Sequence, residues 1–255
     1  MALMQVEFAS KVLGENVQMN VILPERTQEN IGKPIPTLYL LHGMGGDHND
    51  WMRYTSIERY VKDRYLAVIM PSTHMFWYTD MAYGLPYFTY LTAELPVVCR
   101  SLFRDLSDRR EDNFIAGLSM GGYGALKAAL SCPEQYGAAA ALSASCDAVA
   151  RAERPDPVNA GRYWEGIFGT PEETEGSEND LYALAKQCAA GGVMPDLYQW
   201  CGTSDFLYEE NTRLRDALKA LGYCLRYEES EGDHLWECWD EKIQTVLNWL
   251  DEKLA

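Results

Sequence analysis

The hydrophobic pattern divides the chain into short apolar runs separated by longer segments with helical spacing. Near the beginning, apolar and polar residues alternate over residues 5–10 and 16–23, which is typical of a half-exposed antiparallel hairpin. After Pro36 the runs become continuously apolar, as in strands that are buried on both faces. These later predicted strands are residues 37–41, 66–70, 113–116, 138–143, 197–201 and 224–227.

Helical periodicity fills much of the chain between those runs. The last predicted helix spaces Trp236, Trp239, Ile243 and Val246 at three- and four-residue steps, which places them on one helix face. Strands that alternate with helices favour an α/β fold, with a mostly parallel central sheet and helices on both faces. In such sheets functional side chains collect at the carboxyl ends of the strands. The predicted helices are residues 56–62, 87–103, 121–131, 209–221 and 235–250.

One segment departs from this alternation. Residues 147–195 separate two predicted strands by more chain than a crossover needs, and they include the bulky Trp164 and Phe168. A long excursion from the carboxyl end of a strand is typical of a cap over a pocket, and the alternative is a solvated surface insertion. Because no repeat or low-complexity linker interrupts the chain, we predict a single domain over residues 1–255, with a cap-like insertion at about 147–195.

Composition and charge exclude several classes of partner. The 255 residues carry a formal net charge of −16 and no basic stripe, which disfavours nucleic acids and anionic lipids. Residues 1–10 lack the basic head and apolar core of a secretory signal. The segments without charged residues are shorter than the roughly 20 apolar residues of a membrane span. We therefore expect a cytoplasmic protein that does not bind membranes.

The cysteines and histidines give no indication of a metal site. The seven cysteines are too widely spaced for a zinc knuckle, and an odd number without a secretory signal is typical of reduced thiols. His42 and His48 could begin a metal site, but no acidic third ligand is suitably spaced. We expect neither a metal nor another cofactor.

A glycine-flanked serine provides the strongest indication of chemistry. Residues 117–121, Gly-Leu-Ser-Met-Gly, connect a predicted apolar strand to an alanine-rich helix. In that setting Gly-x-Ser-x-Gly is typical of a nucleophile elbow, in which the serine has a strained backbone and the glycines avoid collisions. A nucleotide-binding turn is the alternative, but the Gly-x-Gly-x-x-Gly spacing is missing. We therefore predict that Ser119 is a catalytic nucleophile.

His234 and Asp205 are predicted to activate this serine. Of the four histidines only His234 follows Ser119, and it lies in the loop between the last predicted strand and the last predicted helix. Asp205 lies in the turn after the strand at 197–201, from which it could orient the histidine. Asp147 is the main competitor for that role because it follows the preceding strand.

The remaining candidates concern the oxyanion hole and the substrate pocket. The pair His42-Gly43 follows the third predicted strand and lets the backbone curl toward the elbow. The backbone N–H groups of Met44 and Met120 are therefore the predicted oxyanion donors. The candidate pocket residues are aromatic, and each could equally belong to the core. They are Trp51, Trp77, Tyr78, Trp164 and Phe168.

Several motifs together resemble the esterase D-like α/β-hydrolases, and the likeness covers nearly the whole chain. That group includes tributyrin, feruloyl and acetyl-xylan esterases, S-formylglutathione hydrolases and mycolyltransferases, and the small bacterial tributyrin-esterase branch is the most similar. The resemblance implies an α/β-hydrolase fold and a serine acyl-enzyme mechanism with the triad and oxyanion donors named above. The motifs are Leu40-Leu41-His42-Gly43, Phe76-Trp77-Tyr78-Thr79-Asp80-Met81, Glu94-Leu95-Pro96, the elbow with its flanking residues 114–126, and Gly232-Asp233-His234.

We therefore predict a serine carboxylesterase that acts on short-chain or aryl esters, such as acetyl, butyryl or feruloyl esters. The alternatives are an S-formylglutathione hydrolase, an acyltransferase and a non-catalytic binding module. Glu228, Glu229, Glu231 and Asp233 precede the predicted base and should repel anionic substrates, which weakens the S-formylglutathione alternative. The expected partner is a small-molecule ester, and a homo-oligomer stays possible.

Overall fold

The computed structural model of the protein describes residues 1–153 and 162–254, and within them eight strands form one sheet. The strands are β1 (Ala2–Ala9), β2 (Asn16–Leu23), β3 (Thr37–Leu41), β4 (Ala67–Pro71), β5 (Asn113–Leu118), β6 (Ala138–Leu142), β7 (Asp196–Gly202) and β8 (Leu225–Ser230). The helices are α1 (Asp50–Tyr54), α2 (Ile57–Val61), α3 (Tyr87–Thr89), α4 (Leu95–Leu102), α5 (Met120–Ser131), α6 (Ala148–Ala152), α7 (Tyr163–Phe168), α8 (Pro171–Thr174), α9 (Leu181–Gly191), α10 (Tyr208–Ala220) and α11 (Trp236–Leu254). A π-helical turn at Tyr90–Glu94 joins α3 to α4.

The strand order of the sheet is β1-β2-β4-β3-β5-β6-β7-β8. β2 is antiparallel to both of its neighbours, while the pairs from β4 to β8 are parallel, which confirms the predicted mostly parallel sheet and the N-terminal hairpin. Strands β3, β5 and β6 are buried throughout, as their continuously apolar sequences require. The short helices α1, α6, α7 and α8 were not predicted because one or two turns are too short to show a period.

Helices cover both faces of the sheet. α5 packs against β5 and β6 on one face, and α11 packs against β6 and β7 on the other. α5 is buried along nearly its whole length because its sequence is dominated by glycine and alanine. A Cβ on Gly124, for example, would lie 2.6 Å from the ring of Tyr78. Within the described residues, the helices are too short or too polar to cross a bilayer.

The chain between β6 and β7 contains the helices α6 to α9. Residues 154–161 of the predicted cap-like insertion at 147–195 lie outside the described residues. The described part packs on the domain. Trp164 and Phe168 of α7 lie 5.3 and 5.5 Å from Trp77, measured between ring centroids. The backbone N–H groups of Ala82 and Tyr83 donate hydrogen bonds to carbonyls at the end of α7.

A buried lysine joins α5 to this segment. Lys127 is fully buried, and its ammonium donates hydrogen bonds to Thr79 Oγ1 (2.5 Å) and Asn179 Oδ1 (2.6 Å). Its Nζ also lies 4.5 Å from the ring centroid of Phe88. Desolvation by burial lowers the pKa of Lys127 to about 7, although nearby carboxylates act in the opposite direction. The folded protein therefore holds this proton less tightly than the unfolded chain does.

We expect Lys127→Met to flatten the dependence of stability on pH. Between the folded pKa of about 7 and the unfolded value of about 10.4, the unfolded chain binds more protons, so stability rises with pH by up to about 1.4 kcal/mol per unit from this group. Urea unfolding at pH 7, 8 and 9 should give a steeper rise for the wild type than for Lys127→Met. Lys186→Met, at an exposed position of α9, is the control, and equal slopes for wild type and Lys127→Met would contradict the prediction.

Candidate active site

Ser119 lies at the sharp turn between β5 and α5. Its backbone has φ 53° and ψ −118°, a conformation that non-glycine residues rarely adopt. A Cβ on Gly117 would lie 2.4 Å from the backbone of Gly121, and a Cβ on Gly121 would lie 2.5 Å from the carbonyl oxygen of His42. The two glycines are required because the ends of β3 and β5 and the first turn of α5 meet at this point.

His234 lies between Ser119 and Asp205. Its Nε2 is 3.0 Å from Ser119 Oγ and its Nδ1 is 2.9 Å from Asp205 Oδ2. Burial alone would raise the pKa of Asp205, but hydrogen bonds from His234 and from the N–H of Leu207 outweigh it and lower the pKa. An ionised Asp205 holds a proton on Nδ1 and leaves the lone pair of Nε2 facing the serine hydroxyl. The arrangement can therefore activate Ser119 for attack.

Asp147, the competing acid, is not brought to His234. Its carboxylate caps α6 by accepting a hydrogen bond from the N–H of Ala150 (2.9 Å), and it pairs with Arg213 of α10 at 3.1 Å. Both interactions hold Asp147 at the start of the segment between β6 and β7. The structure therefore favours Asp205 as the partner of the histidine.

The two backbone donors predicted for the oxyanion hole are not used in hydrogen bonds within the described part of the protein. Among residues 1–153 and 162–254, the N–H groups of Met44 and Met120 have no protein acceptor. The buried His42 fixes the orientation of the N–H group of Met44. Its Nε2 accepts a hydrogen bond from the N–H of Thr73 (3.1 Å), so its proton is on Nδ1 and is donated to the carbonyl of Gly43 (2.7 Å). Since the C=O and N–H of a trans peptide point in opposite directions, holding the Gly43 carbonyl also orients the N–H of Met44.

Desolvation by burial also keeps His42 neutral, because it lowers the pKa of this histidine to about 4. With both ring nitrogens occupied by backbone groups, His42 is not available as a metal ligand. The described part of the chain contains no group of three or more His, Cys, Asp and Glu side chains that could hold a metal ion.

A cavity of about 550 Å³ opens above Ser119, and two of the five predicted pocket residues, Trp77 and Trp164, line it. The other three belong to the core. Trp51 donates its indole N–H to the last carbonyl of β3 (3.0 Å), and Tyr78 donates its hydroxyl to the next carbonyl along the chain (2.9 Å). Phe168 packs behind the rings of Trp77 and Trp164. These three do not line the cavity because each packs against, or bonds to, another structural element behind it.

Several other cavity residues were not predicted from the sequence, among them three aromatic residues and an arginine. Phe206 follows Asp205 in the same turn, and this adjacency was a usable signal. Trp236 and Trp239 were assigned only to the buried face of the last helix, although they also line the cavity. No pattern in the sequence indicated that Arg151 lines the cavity. It is 8% exposed, lines the cavity and donates a hydrogen bond to Ser145 Oγ at 2.6 Å.

Together, the fold and this site define a serine hydrolase of the α/β-hydrolase class. A serine on a strand-to-helix elbow faces an imidazole backed by a buried carboxylate, and free N–H groups adjoin it. The model of the Esterase family matches residues 10–250, and the chain belongs to this family. It is 35% identical over 264 residues to an acetyl esterase of Caldicellulosiruptor saccharolyticus, covering 99% of each chain.

Two solved structures from Staphylococcus aureus are similar to the protein over almost its whole length. FphF, a fluorophosphonate-binding serine hydrolase, is 37% identical with a TM-score of 0.90, covering 98% of both chains. An S-formylglutathione hydrolase, FrmB, is 36% identical with a TM-score of 0.87, also covering 98% of both chains. These findings confirm the predicted α/β-hydrolase fold and the predicted serine esterase activity.

Separate substitution of Asp205 and Asp147 by asparagine should distinguish the roles of the two acids. We expect Asp205→Asn to lower kcat by about four orders of magnitude, because the amide favours the wrong tautomer of His234. Asp147→Asn is the matched control and should leave kcat almost unchanged, since its contacts lie at a helix cap. Ester hydrolysis by both variants should be measured after circular dichroism has shown that they fold. A larger loss in Asp147→Asn would reverse the assignment.

Proposed function

We propose that the protein is a carboxylesterase that hydrolyses small uncharged esters through an acyl-enzyme on Ser119. The observation that carries this proposal is the hydrogen-bonded chain from Ser119 through His234 to Asp205 at the floor of a cavity. His234 Nε2 takes the hydroxyl proton as Ser119 Oγ attacks the ester carbonyl. The N–H groups of Met44 and Met120 then stabilise the tetrahedral oxyanion.

The same imidazole completes both halves of the reaction. His234 returns its proton to the oxygen of the leaving alcohol as the C–O bond breaks, which leaves the acyl group on Ser119. A water molecule then attacks the acyl carbon and gives its proton to Nε2. When the second tetrahedral intermediate collapses, the proton returns to Ser119 Oγ and the carboxylic acid leaves. No step requires a cofactor.

The buried end of the cavity supports a preference for short or aryl acyl groups. Trp77 and Trp164 are 3% and 5% exposed. The guanidinium carbon of Arg151 lies 5.9 Å from the ring centroid of each of them. These bulky groups close the buried end of the cavity, next to the segment between β6 and β7. We accordingly propose that residues 147–195 act as the cap of one domain, and that long acyl chains have no room behind Trp164.

Thioester hydrolysis is the second candidate function, because the similar FrmB structure is named as an S-formylglutathione hydrolase. The acidic residues before His234 should repel S-formylglutathione less than the sequence alone predicts, because two of them lie near arginines. Glu228 pairs with Arg226 at 2.8 Å, and Glu229 lies 3.8 Å from Arg215. Asp50 lines the cavity, however, and the net charge is −16. A thioester with an anionic leaving group is therefore the less favoured substrate.

The free thiols support a cytoplasmic location. All seven cysteines, at positions 99, 132, 146, 188, 201, 224 and 238, are unpaired, and four of them are buried. Reduced, buried cysteines are typical of proteins from a reducing compartment. We therefore propose that the esterase works in the cytoplasm.

Removal of the nucleophile is the first test of this function. Ser119→Ala should fold normally and lose hydrolysis by about a millionfold, because the remaining groups cannot form an acyl-enzyme. Intact-protein mass spectrometry should show one fluorophosphonate adduct on the wild type and none on Ser119→Ala. Substantial esterase activity in a clean Ser119→Ala preparation would contradict the assignment.

The acyl preference is tested with 4-nitrophenyl acetate, butyrate, octanoate and palmitate. We expect kcat/KM to be highest for the short esters and about tenfold or more lower for octanoate, because the buried rings exclude the longer chain. Trp164→Ala should raise the ratio of octanoate to butyrate kcat/KM. Leu102→Ala, at an exposed position of α4, is the control for loss of apolar bulk.

The same panel includes S-formylglutathione at low and high salt. We expect a lower kcat/KM for this thioester at low salt and a rise with added salt, since screening weakens repulsion of its net negative charge. Palmitate as the best ester would contradict the acyl preference. A large preference for S-formylglutathione that persists at low salt would replace the esterase proposal with the thioesterase one.

A further inference from the structure

The cavity has two unlike ends. At one end Trp77, Trp164 and Arg151 are almost fully buried. At the other end Phe206 and Trp236 line the cavity next to the solvent, and Phe206 is 64% exposed. A contiguous exposed apolar patch, unlike scattered exposed side chains, is typical of a binding surface, so aromatic rings exposed at the mouth of the cavity indicate a binding role.

Aromatic rings contact the imidazole and one another from this end of the cavity outward. The centroid of Phe206 lies 4.7 Å from that of His234. Trp236 stacks on Tyr54, with 4.9 Å between centroids and 23° between planes, and Tyr54 is 48% exposed. The buried Trp239 lies between the imidazole and Trp236, because its ring centroid is 4.8 Å from that of His234 and 5.4 Å from that of Trp236. We call Phe206, Trp236 and Tyr54 the aromatic platform.

The chemistry of the acylation step determines which part of an ester lies on this platform. His234 Nε2 must give its proton to the leaving oxygen, so that oxygen has to come within about 3 Å of Nε2. The group attached to the oxygen then passes beside the rings that surround the imidazole. The acyl group is on the other bond of the carbonyl carbon, and the buried end with Trp77 and Trp164 is left for it.

We propose that the aromatic platform is the leaving-group subsite and that it selects esters of aromatic alcohols. This inference rests on the proposed esterase function. Aromatic rings attract one another in offset or edge-to-face geometry at centroid separations of 4.5–7 Å, beyond what burial of apolar area supplies. Phe206 and Trp236 line the same cavity beside the imidazole, so a planar ring on the alcohol side packs against aromatic surface there. An aliphatic alcohol of equal size contacts the same area without that added attraction.

The test compares 2-phenylethyl acetate with 2-cyclohexylethyl acetate. The two esters have the same acyl group and alcohols of similar size and acidity, so the ratio of their kcat/KM values isolates the leaving-group side. We expect the wild type to prefer the phenyl ester about threefold to tenfold. Phe206→Leu and Trp236→Leu keep apolar bulk and should bring the ratio close to one. Trp164→Leu, at the buried end, is the matched control and should leave this ratio unchanged.

Acyl transfer gives an independent measurement. The departing and the entering alcohol use the same subsite, so the acetyl-enzyme should transfer its acyl group to 2-phenylethanol more readily than to 2-cyclohexylethanol. The alcohol oxygen attacks the acyl carbon, its proton moves to His234 Nε2, and Ser119 is released with that proton. The ratio of the two ester products should fall in Phe206→Leu and stay unchanged in Trp164→Leu.

The outcomes distinguish the inference from the proposed function. Equal kcat/KM values for both acetates, with Ser119 acetylated, would overturn the platform inference and leave the esterase proposal intact. Failure of every ester to acetylate Ser119 would overturn both. A change of oligomeric state in Phe206→Leu, seen by analytical ultracentrifugation while the substrate ratio stays at the wild-type value, would show instead that a second copy of the chain covers the platform.

Discussion

The close approach of three backbone segments at the elbow is the constraint on which the site depends. The first turn of α5 lies against the end of β3 and over β5, and this leaves no space for a side chain at Gly117 or Gly121. The strained backbone of Ser119 is held by its neighbours in the sheet, because its N–H donates to Leu142 (2.9 Å) and its carbonyl accepts from Ser145 (3.2 Å). The serine hydroxyl is thereby raised above the sheet at a fixed point.

Buried polar groups then fix the loops around that point. His42 holds the loop after β3, and Lys127 ties α5 to the segments that carry Thr79 and Asn179. Asp205 keeps its charge in a buried position because N–H donors face both of its oxygens. Each of these side chains would cost stability without its partners, and with them it specifies one arrangement of otherwise irregular chain.

The two ends of the cavity are lined by residues from different parts of the chain. Trp164 and Arg151 come from the chain between β6 and β7, where they are packed against the domain and nearly buried. Phe206 directly follows the acid Asp205, and Trp236 begins α11 two residues after the base His234, so both side chains lie next to catalytic groups along the chain. The proposed subsites would therefore couple substrate choice on the alcohol side to the geometry of the triad, and acyl choice to the segment between β6 and β7.

Local patterns in the sequence determined the class of fold, the elbow and the identity of the histidine. Alternation of strands and helices is a periodic signal, and His234 is the one histidine after Ser119. The acid was not determined in this way, because both β6 and β7 are followed by an aspartate. Only the tertiary structure brings Asp205 to the imidazole and assigns Asp147 to a helix cap. The pocket aromatics were undetermined for the same physical reason. Whether a tryptophan lines a cavity or donates its indole N–H to a backbone carbonyl depends on how separate helices and strands pack together, and periodicity and spacing do not contain that information.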